Sequence, residues 1–259
     1  MNKAIVRLIL KWCAKIYIFR IKPHVVIVAG TTGRHWVKEA IVEALQEKKF
    51  PVRANKKNFN AEIGLPLSIL NLPSGEGNFF LWLKVLKQAI KKSFRAKAPM
   101  TKEFLVLEAA IDRPDGMKYL LSVAKPNTVV LTAITMVYAE NFKNLDEIAS
   151  EYKFLLGKLK WNGLAILNFD DERIKKMAES LDRRIISYGF SKDAEFFAEH
   201  VQKVSDGQKI EIKVAHLGKK ITVKINRFGR HHVYAALIKE IIKENFRISA
   251  VDFFKQIRD

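Results

Sequence analysis

The feature that most constrains this chain's fold is an alternation of two textures. Short runs of nearly continuous Val, Ile and Leu are "HVVIVAG" from His24, "EFLVLEAA" from Glu103, "TVVLTAI" from Thr128, "LAILNF" from Leu164 and "RIISYGF" from Arg184. Between them lie segments with helical spacing at 34–48, 77–93, 115–124, 144–160 and 171–181. Strands that are apolar on both faces and separated by helices imply a mainly parallel sheet covered by helices on each side, an α/β fold. After residue 190 the texture changes. "AEFFAEHVQKV", "QKIEIKVAHL" and "KKITVKINR" alternate in character, with turn signals at Asp206-Gly207 and Gly218. They predict a small antiparallel β extension near 194–226, followed by a helix from about 232 to 246.

With 259 residues, about half of them apolar, the chain can bury a sizeable core without staples. Its single cysteine, Cys13, excludes an internal disulfide framework and fits a reducing, cytoplasmic compartment. The formal charge of +19 raises the question of nucleic acid or an anionic surface. Basic pairs such as Lys48-Lys49, Lys91-Lys92 and Lys175-Lys176 are scattered along the chain without interleaved aromatics, so solvated faces are favoured over a nucleic-acid partner.

Residues 1–22 stand apart. Lys3, Arg7, Lys11 and Lys15 recur every fourth position, and Ile5, Leu8, Ile9, Trp12, Ile16 and Phe19 occupy much of the remaining surface of the helix they predict. A cation in every turn argues against a membrane-spanning segment, and no small-residue cleavage site marks a secretory signal. The helix is expected to be covered by its own domain, by a protein partner or a second copy, with peripheral contact at the inner face of a membrane as the alternative.

The stretch "AGTTGRHWVKEA" follows the first strand and opens a helix, the layout of a phosphate-binding loop. From residue 23 to 259 the chain resembles the central, ATP-binding domain of the Mur ligases, most of all the MurF branch. The resemblance rests on "VVIVAGTTGRHWVKEAI", "NFNAEIGLPLSIL", "LVLEAAIDRPDGMKYLLSVAKPNTVVLTAI", "NGLAILNFDD" and "GRHHVYAALI", in that order. It implies a P-loop-like α/β domain that binds ATP and Mg2+ and forms an amide bond through an acyl phosphate in peptidoglycan precursor synthesis. The family's N-terminal UDP-sugar domain and C-terminal ligase domain are not recognisable here.

By the same resemblance, Gly30, Thr31, Thr32, Gly33, Arg34 and His35 correspond to the phosphate loop, Glu108 to a magnesium-binding glutamate, and Asn168, Asp170 and His231 to the nucleoside end. Arg34 stands where the family has Lys, and His35 and Trp36 where it has hydroxyl residues that orient magnesium. An imidazole and an indole are poor ligands for a hard cation. Tyr138 replaces a metal-side His, and Glu151-Tyr152 a Glu-Lys pair, with Lys153 one residue on and facing elsewhere on its helix. In the last motif His232 and Ala235 replace two amides; adjacent His231 and His232 without an acidic or Cys partner form a weak zinc signal. A plain strand-to-helix turn at 30–33 and an Asx turn at 168–170 are the competing readings of those segments. The expected function is a binding or regulatory Mur-ligase-like protein with impaired catalysis. The alternative is an ATP-dependent ligase subunit completed by another chain, with Arg34 and Glu108 still handling the nucleotide.

Overall fold

The computed structural model describes residues 2–55, 62–97, 102–136 and 141–246. Among the described residues nine strands form one sheet in the order β2-β3-β1-β4-β5-β6-β7-β8-β9. The predicted strands appear as β1 (His24–Ala29), β3 (Phe104–Glu108), β4 (Thr128–Leu131), β5 (Leu164–Asn168) and β6 (Arg184–Gly189), all parallel to their neighbours. The late strands β7 (Phe196–Val204), β8 (Gly207–Val214) and β9 (Lys219–Ile225) are antiparallel to one another, as expected. They are not a separate unit. β7 pairs parallel with β6 through Tyr188↔Phe196 and Gly189↔Phe197, so the extension continues the main sheet.

Helices lie on both faces of the sheet. Odd-numbered positions of β1, Val25 and Ile27, face a core shared with α1 (Lys3–Ile21), α3 (Gly64–Leu70), α4 (Phe79–Arg95), α5 (Gly116–Val123), α6 (Leu145–Gly157) and α7 (Glu172–Glu179). Even positions, Val26 and Val28, face the other core with α2 (Arg34–Glu47) and α8 (Arg230–Asn245). This strict alternation of faces explains why β1 reads as an unbroken apolar run.

Two elements escape the periodicity reading. β2 (Val52–Ala54) is only three residues of an edge strand beside β3, and α3 spans seven residues containing Pro66. Both are too short to establish a period. The last helix begins at Arg230 instead of 232, because Gly229, at φ 111°, supplies a backbone turn where no side chain caps.

The N-terminal helix packs on the domain with one face: Val6, Leu10, Cys13, Ala14, Tyr17 and Ile21 are buried. The Asn2 side chain accepts from the Ala4 amide (2.9 Å), and Lys22 ends the helix in the left-handed region before Pro23.

Candidate functional site

Strand β1 has β3 on one side and β4 on the other, so the chain leaves its C-terminal end where the sheet order reverses direction. Ligands of open α/β sheets sit at such a crevice. Three strand ends meet there: the 30–33 loop after β1, Glu108 at the end of β3, and Thr132 just beyond β4.

The loop is pinned by its own residues. Gly30 has φ 123°, and a Cβ placed on it would lie 2.2 Å from the Thr132 Oγ1, so only glycine permits this approach. The Thr31 amide donates to the Ala133 carbonyl (2.8 Å). The Thr31 hydroxyl donates to the same oxygen (3.0 Å) and accepts from the Thr135 amide (2.8 Å). Thr132 in turn donates to the Thr32 carbonyl (2.6 Å). Gly33, at φ 77°, turns the chain into α2 with no side chain capping that helix start. The first-turn amides therefore face the loop, the geometry that favours an anion.

Beside the loop lies a charge centre that the sequence shows only in part. Arg34 folds back to donate to the Gly30 carbonyl, and its Nε lies 3.5 Å from a Glu108 oxygen. Lys38, one turn further along α2 and only 2% exposed, approaches the second Glu108 oxygen at 3.7 Å and donates to the Asn55 carbonyl at 3.0 Å. Asn55 fixes the Glu108 backbone from both sides, accepting from its amide (2.7 Å) and donating to its carbonyl (3.2 Å). Sequence reasoning passed over Lys38. The available signal was a cation four residues after Arg34 on the inner face of α2, between the buried Val37 and Ile41.

These groups do not suit a magnesium ion. A hard cation needs several oxygen ligands. Glu108, the one carboxylate retained at the position, has each oxygen approached by a different cation. A divalent ion there would face Arg34 and Lys38, and the Thr31 hydroxyl is already committed to the 133–135 backbone. Tyr152, which stands where the resemblance places the Lys of the Glu-Lys pair, is fully buried, and Lys153 is exposed as expected. Glu151 is used structurally: it accepts from the Asp115 (2.8 Å) and Met117 (3.2 Å) amides at the start of α5. Tyr138 lies outside the described residues, as do Asn58 and Asn60 of the "NFNAEIG" stretch.

At the nucleoside end two expected residues serve the scaffold instead of an open site. Asn168 is buried, donates to the Thr132 carbonyl and accepts from the Asp170 amide (3.0 Å), an Asx turn. Asp170 accepts from the Phe190 and Ser191 amides and from the Tyr234 hydroxyl (2.8 Å). Its influence on the site passes through Tyr234 and through Arg230, 3.6 Å away, both of which line the cavity.

His231 lies beside the loop. With Thr32, Gly33, Trp36, Arg230 and Tyr234 it lines a cavity of about 410 Å³ beside the loop. The Trp36 ring lies 4.5 Å from that of His232 and 5.1 Å from that of His35, and the Arg227 guanidinium sits 4.3 Å over it. Burial, then the neighbouring His231 and Arg227, push the His232 pKa down. His232 and Arg227 line a separate pocket that shares Trp36, while Trp36, His231 and Tyr234 give the loop-side cavity an aromatic wall without a carboxylate, suited to a flat base beside an anion. The one cluster with metal-ligand spacing among the described residues, Glu199, His200 and Glu211, lies elsewhere, on β7–β8, and its Glu199 is paired with Lys213 at 2.5 Å.

Similarity to known proteins agrees with this architecture. The sequence profile of the Mur ligase middle domain matches residues 87–239. The chain is 24% identical over 225 residues to the UDP-N-acetylmuramoyl-tripeptide--D-alanyl-D-alanine ligase of Buchnera aphidicola, covering 86% of this chain and 43% of that protein. It is 31% identical over 135 residues to the UDP-N-acetylmuramate--L-alanine ligase of a Sulfurihydrogenibium species, covering 52% of this chain and 28% of that protein. Among solved structures, MurF ligase from Thermotoga maritima in complex with ADP superposes with a TM-score of 0.75 at 21% identity, covering 97% of this chain and 52% of that one. The chain thus spans about half the length of these proteins or less. With the profile match and the fold in agreement, the chain belongs to the Mur ligase family, as a representative of its middle domain.

Proposed function

We propose that this chain is a MurF-like domain of cell-envelope synthesis that holds a nucleotide without using magnesium to transfer its phosphoryl group, and acts as a binding or regulatory component. The observation that carries the reading is Glu108 held between Arg34 and Lys38. Phosphoryl transfer needs a metal bridging phosphate oxygens and an open carboxylate to hold it. Here two fixed side-chain cations occupy that carboxylate. The first-turn amides of α2 and the Trp36–His231 wall face the crevice, where an anion and a base can sit. Such a site can bind ATP or ADP through side-chain and backbone donors. Arg34, whose Nε and one Nη face Glu108 and the Gly30 carbonyl, contributes its fixed positive charge beside the phosphate position.

A second reading is supported by the retention of Glu108 and of the loop's backbone shape: an ATP-dependent amide-forming ligase subunit completed by another chain. Phosphate release separates the two. The proposed function predicts no magnesium-dependent ATP hydrolysis above background, and none after Arg34→Lys, His35→Thr and Trp36→Thr are combined, because Lys38 still holds Glu108. Release by the unmodified chain that disappears in Glu108→Ala would favour the ligase reading.

A further inference from the structure

The excess of positive charge, scattered in sequence, is concentrated in space. Helix α1 packs along α4. Each helix carries five Lys or Arg and no Asp or Glu, so together they supply ten of the nineteen excess positive charges. Apolar exposure is concentrated on the same helices. Of the sixteen large apolar side chains exposed among the described residues, ten belong to α1 and α4. On α1, Ile5, Leu8, Trp12 and Phe19 form an outward stripe opposite the buried one, with Phe19 77% exposed. On α4, Phe80 (78%), Leu83, Ile90 and Phe94 do the same, opposite buried Val85, Leu86 and Ala89. Lys15 rests 4.8 Å over the Trp12 ring, so its charge lies at the border of the stripe.

A basic cavity opens at the seam of the two helices. It measures about 610 Å³ and is lined by Tyr17 of α1, by Lys91, Lys92 and Arg95 of α4, and by Arg53 and Glu103 from the sheet edge. Its one carboxylate is already matched: Arg53 pairs with Glu103 at 2.9 Å, and the Tyr17 hydroxyl donates to it at 3.3 Å. Lys92 is held in place by the carbonyls of Leu70 (3.0 Å) and Asn71 (2.9 Å). The surplus of cations there is not answered by any side chain lining the cavity.

We propose that the α1–α4 face is a peripheral membrane surface: its apolar stripes enter the acyl boundary of an anionic bilayer, and the cations that border them, Lys91 and Arg95 at the rim of the seam among them, meet lipid phosphate. No helix among the described residues is long and apolar enough to cross a membrane, so the protein would lie on the surface. Charge complementarity favours a bilayer over a protein partner. Seven of the ten cations are Lys, a residue depleted in protein–protein interfaces, and both helices lack the carboxylates that an interface uses to set register. Lysines flanking an apolar, aromatic stripe are instead what an interface with anionic lipid selects, since their stems follow the apolar zone while their charges meet phosphate.

The test is sedimentation of the full chain with vesicles of phosphatidylcholine alone and of phosphatidylcholine containing about one third phosphatidylglycerol. Binding is expected only with phosphatidylglycerol, weakening as salt rises. Lys91→Glu with Arg95→Glu should weaken it at least about tenfold. Phe80→Ser with Phe94→Ser should weaken it comparably at low salt, and because both side chains are exposed, the melting temperature should hold. Equal binding to neutral vesicles, or none to either kind, overturns the proposal. So does a protein dimer that the Phe80 and Phe94 substitutions dissociate while vesicle binding is unaffected. That result would assign the face to a second copy.

Discussion

At the scale of single residues, the site's identity depends on what surrounds Glu108. Its presence at the end of β3 was legible from "FLVLEAA", because a carboxylate ending a parallel strand points to the crevice. Its state was not, since Lys38 and Asn55 come from other elements and only the fold brings them to it. The arrangement predicts an asymmetry. Glu108→Gln leaves the buried Lys38 with only the exposed Glu39 (3.4 Å) as a carboxylate partner and should cost about 2 kcal/mol, whereas adding Lys38→Met should recover much of that loss, because the under-paired buried charge is then gone. Urea unfolding of the single and double variants measures it, and a double variant less stable than the single would contradict the pairing.

His24 gives a second prediction at this scale. Its ring sits against Phe104 and meets the Thr128 hydroxyl at 2.9 Å. Burial, then the charges of Lys102 and Lys160, push its pKa down to about 3 from the ordinary 6.5. The folded protein therefore keeps His24 neutral while the unfolded chain protonates below 6.5. Stability should fall as pH drops through that window, by up to ~2 kcal/mol between pH 6.5 and 5. The urea midpoint of His24→Gln should lose that part of the pH dependence.

At the scale of elements, the long segments were legible and the short ones were not. Helices α4, α6 and α7 begin near caps visible in the sequence, Asn78, Asn144 and Asp171, each of which accepts from first-turn amides. Helix α5 has no such local cap. Glu151 of α6 supplies it from outside, accepting from the Asp115 and Met117 amides. Removing it should destabilise the α5 start by about 1 kcal/mol, the usual scale of a lost cap. Hydrogen exchange at the Met117 amide would report it: Glu151→Ala should speed exchange there while leaving the α8 amides unchanged.

At the scale of the whole molecule, the alternation of apolar runs and amphipathic segments was enough to anticipate a parallel sheet covered on both faces. It could not give the continuity of β6 with β7, because only two residue pairs make that junction. Nor could it show that Asn168 and Asp170 are turned into the scaffold, since an Asx turn and a nucleoside contact draw on the same residue types. What the fold preserves is a switch-point crevice with an uncapped helix start, a cavity walled by Trp36 and His231, and fixed cations at the carboxylate. A site so built should hold a nucleotide without help from a divalent ion. Calorimetric titration of ATP into the full chain, in chelator and again with magnesium, tests this most directly. The predicted result is a dissociation constant unchanged within about twofold between the two conditions. A tightening of about tenfold or more with magnesium, lost in Glu108→Gln, would contradict it.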